Sequence, residues 1–160
     1  GFIFFIYQLY LIFKTKVRKQ KDIYYRYIVF SVINFIIALV LVCFYFVLSN
    51  DYLLFISGFI FLLGFLTPII TAHLYKIIPF LVWFHRFSSL VGKQKVPMLA
   101  DMVPVKSSDF GFAFYLLGFI LSLIAFIFSS DILFKSAVSF LFVGTSFIVK
   151  DVFYIINFKG

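Results

Sequence analysis

Long apolar segments recur along this chain, and they constrain its fold more than any other feature. The chain contains several nearly uncharged runs of about 20 residues, the length an α-helix needs to cross the hydrocarbon core of a bilayer. Of its 160 residues, 64% are hydrophobic and only 12% are charged. A water-soluble domain carries charge on about a quarter of its residues. The sequence therefore predicts an all-α fold, a polytopic transmembrane helical bundle.

Polar connections divide the chain into four full spans and a partial one at the N-terminus. The partial span covers residues 1–13, which are too few to cross a bilayer alone. The full spans are predicted at residues 27–49, 53–76, 109–129 and 132–158. We expect one transmembrane domain over residues 1–160. We also expect it to be a fragment of a longer chain, because it opens inside an apolar run whose basic residues follow it, unlike a secretory signal.

The basic residues are distributed unequally between the two sides of these spans. Of the 14 lysines and arginines, 13 fall on one side and only Lys135 falls on the other. Cytoplasmic loops of membrane proteins retain Lys and Arg, so the basic side is predicted to face the cytoplasm of a bacterial inner membrane. Topology and anionic headgroups account for the net charge of +8. We therefore expect lipid headgroups as partners, and no nucleic acid.

Small residues repeat on one face of the span at residues 109–129, at spacings of seven, four and three. They are Gly111, Gly118, Ser122 and Ala125. In the next span Ala137 and Gly144 repeat at a spacing of seven. Helices in lipid associate where small residues let their backbones approach, and these spacings share one helical face. The pattern predicts that the last two spans are antiparallel neighbours joined along a seam of small residues.

Both histidines and the only tryptophan lie between residues 71 and 99. A histidine in a membrane segment could bind haem or a metal or relay protons, and we consider His73 for such a role. The alternative is that His73 simply lies at the membrane boundary. His85 is a second metal-ligand candidate, although it lies closer to a polar loop. Three neighbouring residues are expected at the membrane interface, namely Lys76, Trp83 and Arg86.

The apolar run that contains His73 continues past Pro79 to Phe87. A straight helix over residues 53–87 would be about 50 Å long, against a hydrocarbon core of about 30 Å. Because proline removes one helical hydrogen bond, we predict a sharp bend around Pro79 and a bent or interfacial continuation at residues 77–87. Such a bend is also what His73 and His85 would require in order to share one metal.

The stretch HLYKIIPFLVWFHRFSSLVGKQKVPML resembles a segment of uncharacterised bacterial multi-span proteins. These are distantly similar to haem-copper oxidase subunit I and to NnrS-type haem-copper membrane proteins. The resemblance implies the C-terminal part of a larger inner-membrane protein, with further helices upstream or in partner subunits. It also implies His73 as a haem or metal ligand. The chain has two histidines and lacks the close pair on one helix, so a complete oxidase site cannot be built from it.

Three classes of function follow. The first is a non-catalytic portion of a larger multi-span membrane protein. The second is a haem- or copper-associated protein of respiration or of the nitrogen-oxide response. The third is a small transporter or channel, which the sequence disfavours because no charged residue falls at mid-span, where coupled transporters bind their ions. Asp151 follows Lys150 and is expected at the last membrane boundary.

The charge asymmetry predicts that residues 14–26 and 88–108 face the cytoplasm, whereas residues 50–52 and 130–131 face outward. Single cysteines placed at Lys19 and at Asp131, in a Cys43→Ala background, should therefore react with an impermeant thiol reagent from opposite sides of the membrane. Labelling of both positions from the same side would contradict the predicted topology.

Overall fold

The computed structural model describes residues 4, 7, 8, 11 and 22–158. Within residues 22–158 every regular element is helical, and the predicted all-α fold is confirmed. The principal elements are α1 (Ile23–Leu48), α2 (Asp51–Phe59), a π-helical segment (Ile60–Leu66), α3 (Thr67–Phe87), α4 (Val105–Ile127) and α5 (Asp131–Ile156). Two short 3-10 helices, Ser88–Leu90 and Leu99–Met102, lie in the connection between α3 and α4.

Four helical stretches of the described chain are long and apolar enough to cross a membrane. They are Ile23–Leu48, Asp51–Leu90, Val105–Ile127 and Asp131–Ile156. Many of their large apolar side chains, such as Phe46, Val47 and Phe142, are exposed on the outside of the bundle, which suits a helix surface that faces lipid. The partial span predicted at residues 1–13 lies outside the described residues, except for four positions that are helical.

Short polar turns end the helices on one side of the bundle. Ser49 adopts a left-handed conformation after α1, and the Asn50 side chain accepts a 3.0 Å hydrogen bond from the Tyr52 amide at the start of α2. Ser130 caps α5 in the same way by accepting from the Leu133 amide. Side-chain oxygens at these positions satisfy amides that a helix start leaves without a partner. Each turn therefore reverses the chain within a few residues.

The helices form two groups. In the first, α1 packs against the continuous helical rod made by α2, the π segment and α3, and we call it the α1–α3 group. The second is the α4–α5 pair, whose two helices share the most extensive contact in the described chain. The two groups meet through smaller contacts, mainly between α3 and α5 and between α1 and α4.

The α4–α5 contact runs through the small residues that the sequence places on one face. Gly111, Gly118, Ser122 and Ala125 are all buried on α4, and Ala137 and Gly144 are buried on α5. A methyl group added to Gly144 would lie 2.6 Å from the Tyr115 amide nitrogen, and one added to Gly118 would lie 2.7 Å from that of Leu141. Backbone atoms can yield little, so only glycine permits this approach.

Pro79 does not end or reverse α3. The α-helix continues from Thr67 to Phe87 with Pro79 inside it and fully buried, so the fold-back that would bring His85 toward His73 is absent. The connection that follows α3 packs back onto the end of this helix. The Trp83 indole donates a 2.9 Å hydrogen bond to the Pro97 carbonyl. An interfacial position for residues 77–87 stays a prediction.

The seam predicts opposite effects for the same substitution at different glycines. Gly118→Ala and Gly144→Ala should each lower the free energy of unfolding in detergent by about 1–3 kcal/mol, because the added methyl meets backbone atoms. Gly58→Ala is the matched control. No atom lies within 4 Å of its added methyl, so it should be neutral or stabilise α2 by up to about 1 kcal/mol. Equal losses in all three variants would contradict the seam.

Candidate functional site

A buried cluster of polar side chains joins α1, α3 and α5. Asp151 has 0% exposure, and its Oδ2 atom accepts a 2.8 Å hydrogen bond from the Tyr75 hydroxyl. Tyr27, also 0% exposed, stacks on Tyr75 with ring centroids 6.1 Å apart. Tyr27 therefore lies beside the side chain that binds Asp151. We call Tyr27, Tyr75 and Asp151 the buried polar cluster.

The buried polar cluster lies at the end of the bundle that carries the basic connections. Tyr27 is in the first turns of α1 and Asp151 is in the last turns of α5. At 1.5 Å per residue, Asp151 lies about 30 Å along α5 from its first residue. Because this distance equals the thickness of a typical hydrocarbon core, the cluster belongs at the edge of that core rather than at its centre.

Three buried side-chain atoms in the described residues lack a hydrogen-bond partner, and all three lie near this end. They are the Tyr27 hydroxyl, Asp151 Oδ1 and Ser107 Oγ. Gly111 of α4 lies opposite Ile148 of α5, so the preceding turn of α4 brings Ser107 level with Asp151. Buried polar atoms nearly always have partners. Their concentration at one level therefore indicates a place that a small polar or charged ligand would complete.

The sequence contains a signal for Asp151 that the small-residue pattern alone does not reveal. Ala137 and Gly144 are seven residues apart on the buried face of α5, and a further seven residues lead to Asp151. Ile148 is buried on the same face. Lys150 points away, with its ammonium 5.5 Å from the centroid of the Phe147 ring. Proximity to Lys150 suggested a boundary residue, whereas helical periodicity assigns Asp151 to the interior.

A second polar arrangement lies midway along the α2–α3 rod. Pro68 has no amide hydrogen, so the π-helical bond that would reach the Leu63 carbonyl, five residues earlier, cannot form. The Tyr115 hydroxyl of α4 donates a 2.6 Å hydrogen bond to that carbonyl. Gly64 makes room on the same segment, since an added methyl would lie 2.8 Å from the Asn34 side chain of α1.

The two histidines lie apart on α3, and both are exposed. The Nδ1 atom of His73 is 2.7 Å from the Ile69 carbonyl, and that of His85 is 2.8 Å from the Leu81 carbonyl. A carbonyl can only accept, so each Nδ1 donates, and in the neutral form of the ring each Nε2 carries the free lone pair. Either Nε2 could bind a metal singly, but one continuous helix separates the two rings.

The residues predicted at the interface make contacts within the chain. Lys76 forms a 3.4 Å ion pair with Asp22 and lies over the Tyr24 ring, whose edge also meets His73. Arg86 donates a 2.7 Å hydrogen bond to the Phe158 carbonyl. With the bond from Trp83 to the 88–104 connection, these contacts hold the basic end of the bundle together.

No group of three or more His, Cys, Asp or Glu side chains in the described part of the chain could hold a metal ion. Comparison of the chain with protein families, curated proteins and solved structures finds no match. The resemblance to haem-copper membrane proteins therefore stays a prediction. The arrangement of the site has to be interpreted from its own chemistry.

The hydrogen bond from the Tyr115 hydroxyl to the Leu63 carbonyl predicts that substitutions of Tyr115 and Pro68 have coupled effects on stability. Tyr115→Phe should cost about 1 kcal/mol of unfolding free energy, because it leaves the Leu63 carbonyl buried without a donor. The exposed Tyr154→Phe is the control and should be neutral. In a Pro68→Ala background the restored amide at position 68 can donate to the Leu63 carbonyl. Tyr115→Phe should therefore cost less unfolding free energy there. An undiminished cost would show that Pro68 is unrelated to the role of Tyr115.

Proposed function

We propose that this chain is a non-catalytic, membrane-embedded portion of a larger multi-span protein, and that it takes part in moving an ion or small solute. The observation that carries this proposal is Asp151, a fully buried carboxyl group between the α4–α5 pair and the α1–α3 group. Ionisable groups inside a membrane bundle are expensive to bury and mark pathways and binding sites for ions.

The division of the bundle into two groups supports the same proposal. Tyr75 and Asp151 lie at the contact between α3 and α5, which is much smaller than the α4–α5 contact. Transporters place their binding sites between groups of helices that move against each other, near the middle of the membrane, and the buried polar cluster shares the first of these two features. The π segment adds an irregular stretch in mid-helix beside Asn34, and such segments are frequent at functional sites.

For its location we propose a bacterial cytoplasmic membrane. The 13 basic residues on one side of the spans support the cytoplasmic orientation of the buried polar cluster. The resemblance of residues 73–99 to bacterial multi-span proteins supports the bacterial origin.

Flux measurements in vesicles test this function. The purified chain, reconstituted with imposed sodium and proton gradients, should carry a cation flux above that of protein-free vesicles. Asp151→Asn should reduce the flux by about tenfold or more, since it removes the charge at the site. Asp131→Asn, an exposed position on the same helix, should leave it unchanged. Wild-type flux equal to that of empty vesicles, or equal flux in both variants, would contradict the proposal.

A second candidate function is haem or copper binding through His73. The hydrogen bond from its Nδ1 atom to Ile69 favours this role, because metal-binding histidines usually donate their other ring nitrogen to such an acceptor. The purified chain loaded with haem should then show a Soret band that shifts in His73→Ala and not in His85→Ala. No spectral difference between wild type and His73→Ala would exclude His73 as the ligand.

A further inference from the structure

Within the described chain no lysine, arginine or histidine side chain pairs with the Asp151 carboxyl group. On α5, Lys150 lies over Phe147, and on α3 the group that faces Asp151 is the neutral Tyr75 hydroxyl. On α1 the neighbouring group is the Tyr27 hydroxyl, which is buried without a partner on the ring that stacks on Tyr75. Of the charged residues that α1 and α4 carry toward this end, Arg26 and Asp109 pair with each other at 3.0 Å, and Lys106 is exposed. A single hydroxyl donor compensates a buried carboxylate poorly, so the site favours a ligand that brings positive charge.

The atoms without partners define the chemistry of that ligand. Asp151 Oδ1, the Tyr27 hydroxyl and the Ser107 hydroxyl are all oxygen atoms, and oxygen ligands suit hard cations rather than soft transition metals. One carboxylate supplies one negative charge. A monovalent cation would neutralise the site, whereas a divalent cation would leave a buried positive charge in its place.

We propose that the buried polar cluster binds one small monovalent alkali cation, sodium or potassium, between Asp151 Oδ1 and the Tyr27 hydroxyl. This inference rests on the proposed function, because it names the ion that the site would handle. The bound cation would bridge α5 to α1 in addition to the existing bond from Asp151 to Tyr75. Occupancy of the site would therefore hold the α1–α3 group and the α4–α5 pair together.

Thermal unfolding in detergent tests the binding directly and without transport. The melting temperature of the purified chain should rise and saturate with added NaCl or KCl, at fixed pH and with ionic strength held constant by choline chloride. A ligand that binds only the folded state stabilises it in this way. Asp151→Asn should abolish the dependence on the alkali cation. Tyr27→Phe should shift its midpoint to about tenfold higher concentration, whereas Tyr154→Phe should not move it.

Identical melting in alkali and choline salts would overturn the proposal, as would an unchanged response in Asp151→Asn. If Asp151→Asn fails to fold, an unchanged midpoint in Tyr27→Phe overturns it instead. A wild-type melting temperature that responds to pH and not to alkali cations would assign the positive charge to a proton, which also overturns the proposal. Alkali-dependent melting without vesicle flux would contradict the transport function and leave the binding site established.

Discussion

The hydrogen bond between Tyr75 and Asp151 is the interaction on which the arrangement of this bundle most depends. It joins the two groups of helices at a contact much smaller than those inside each group. It also keeps a carboxyl group in an interior where an ion without partners is costly. Because the other oxygen of Asp151 and the Tyr27 hydroxyl lack partners, the interaction that joins the groups also lies beside the proposed cation site.

Polar groups inside a bilayer must find partners within the protein. The same requirement explains the contact between Tyr115 and the π segment in the middle of the bundle. Pro68 leaves a carbonyl of the π segment without its usual donor, and the Tyr115 hydroxyl supplies one from the neighbouring helix pair. Glycines at the α4–α5 seam let the two backbones approach, which brings Tyr115 close to Gly144. Small residues, a proline and a tyrosine on three different elements therefore depend on one another.

The sequence predicts the fold closely, because a bilayer leaves few alternatives. Apolar runs at least as long as a membrane is thick become the four long helices, and the spacing of Gly118 and Gly144 leads to the seam. The site was harder to predict. Asp151 follows a lysine at a helix end, and only the continuation of the Ala137 and Gly144 spacing places it inside. The partners Tyr27 and Tyr75 are distant in sequence, and among ten tyrosines nothing distinguishes them before the helices are packed. The sequence also did not reveal that α3 continues through Pro79 to Phe87.

A double-mutant cycle on Tyr75 and Asp151 tests the central claim most directly. The free energy of unfolding in detergent would be measured for the wild type, Tyr75→Phe, Asp151→Ala and the double variant. If the hydrogen bond joins the two groups of helices, the two losses should be non-additive, with a coupling energy of about 1 kcal/mol or more. Losses that add to within about 0.3 kcal/mol would show that the two side chains act independently, and would contradict the account.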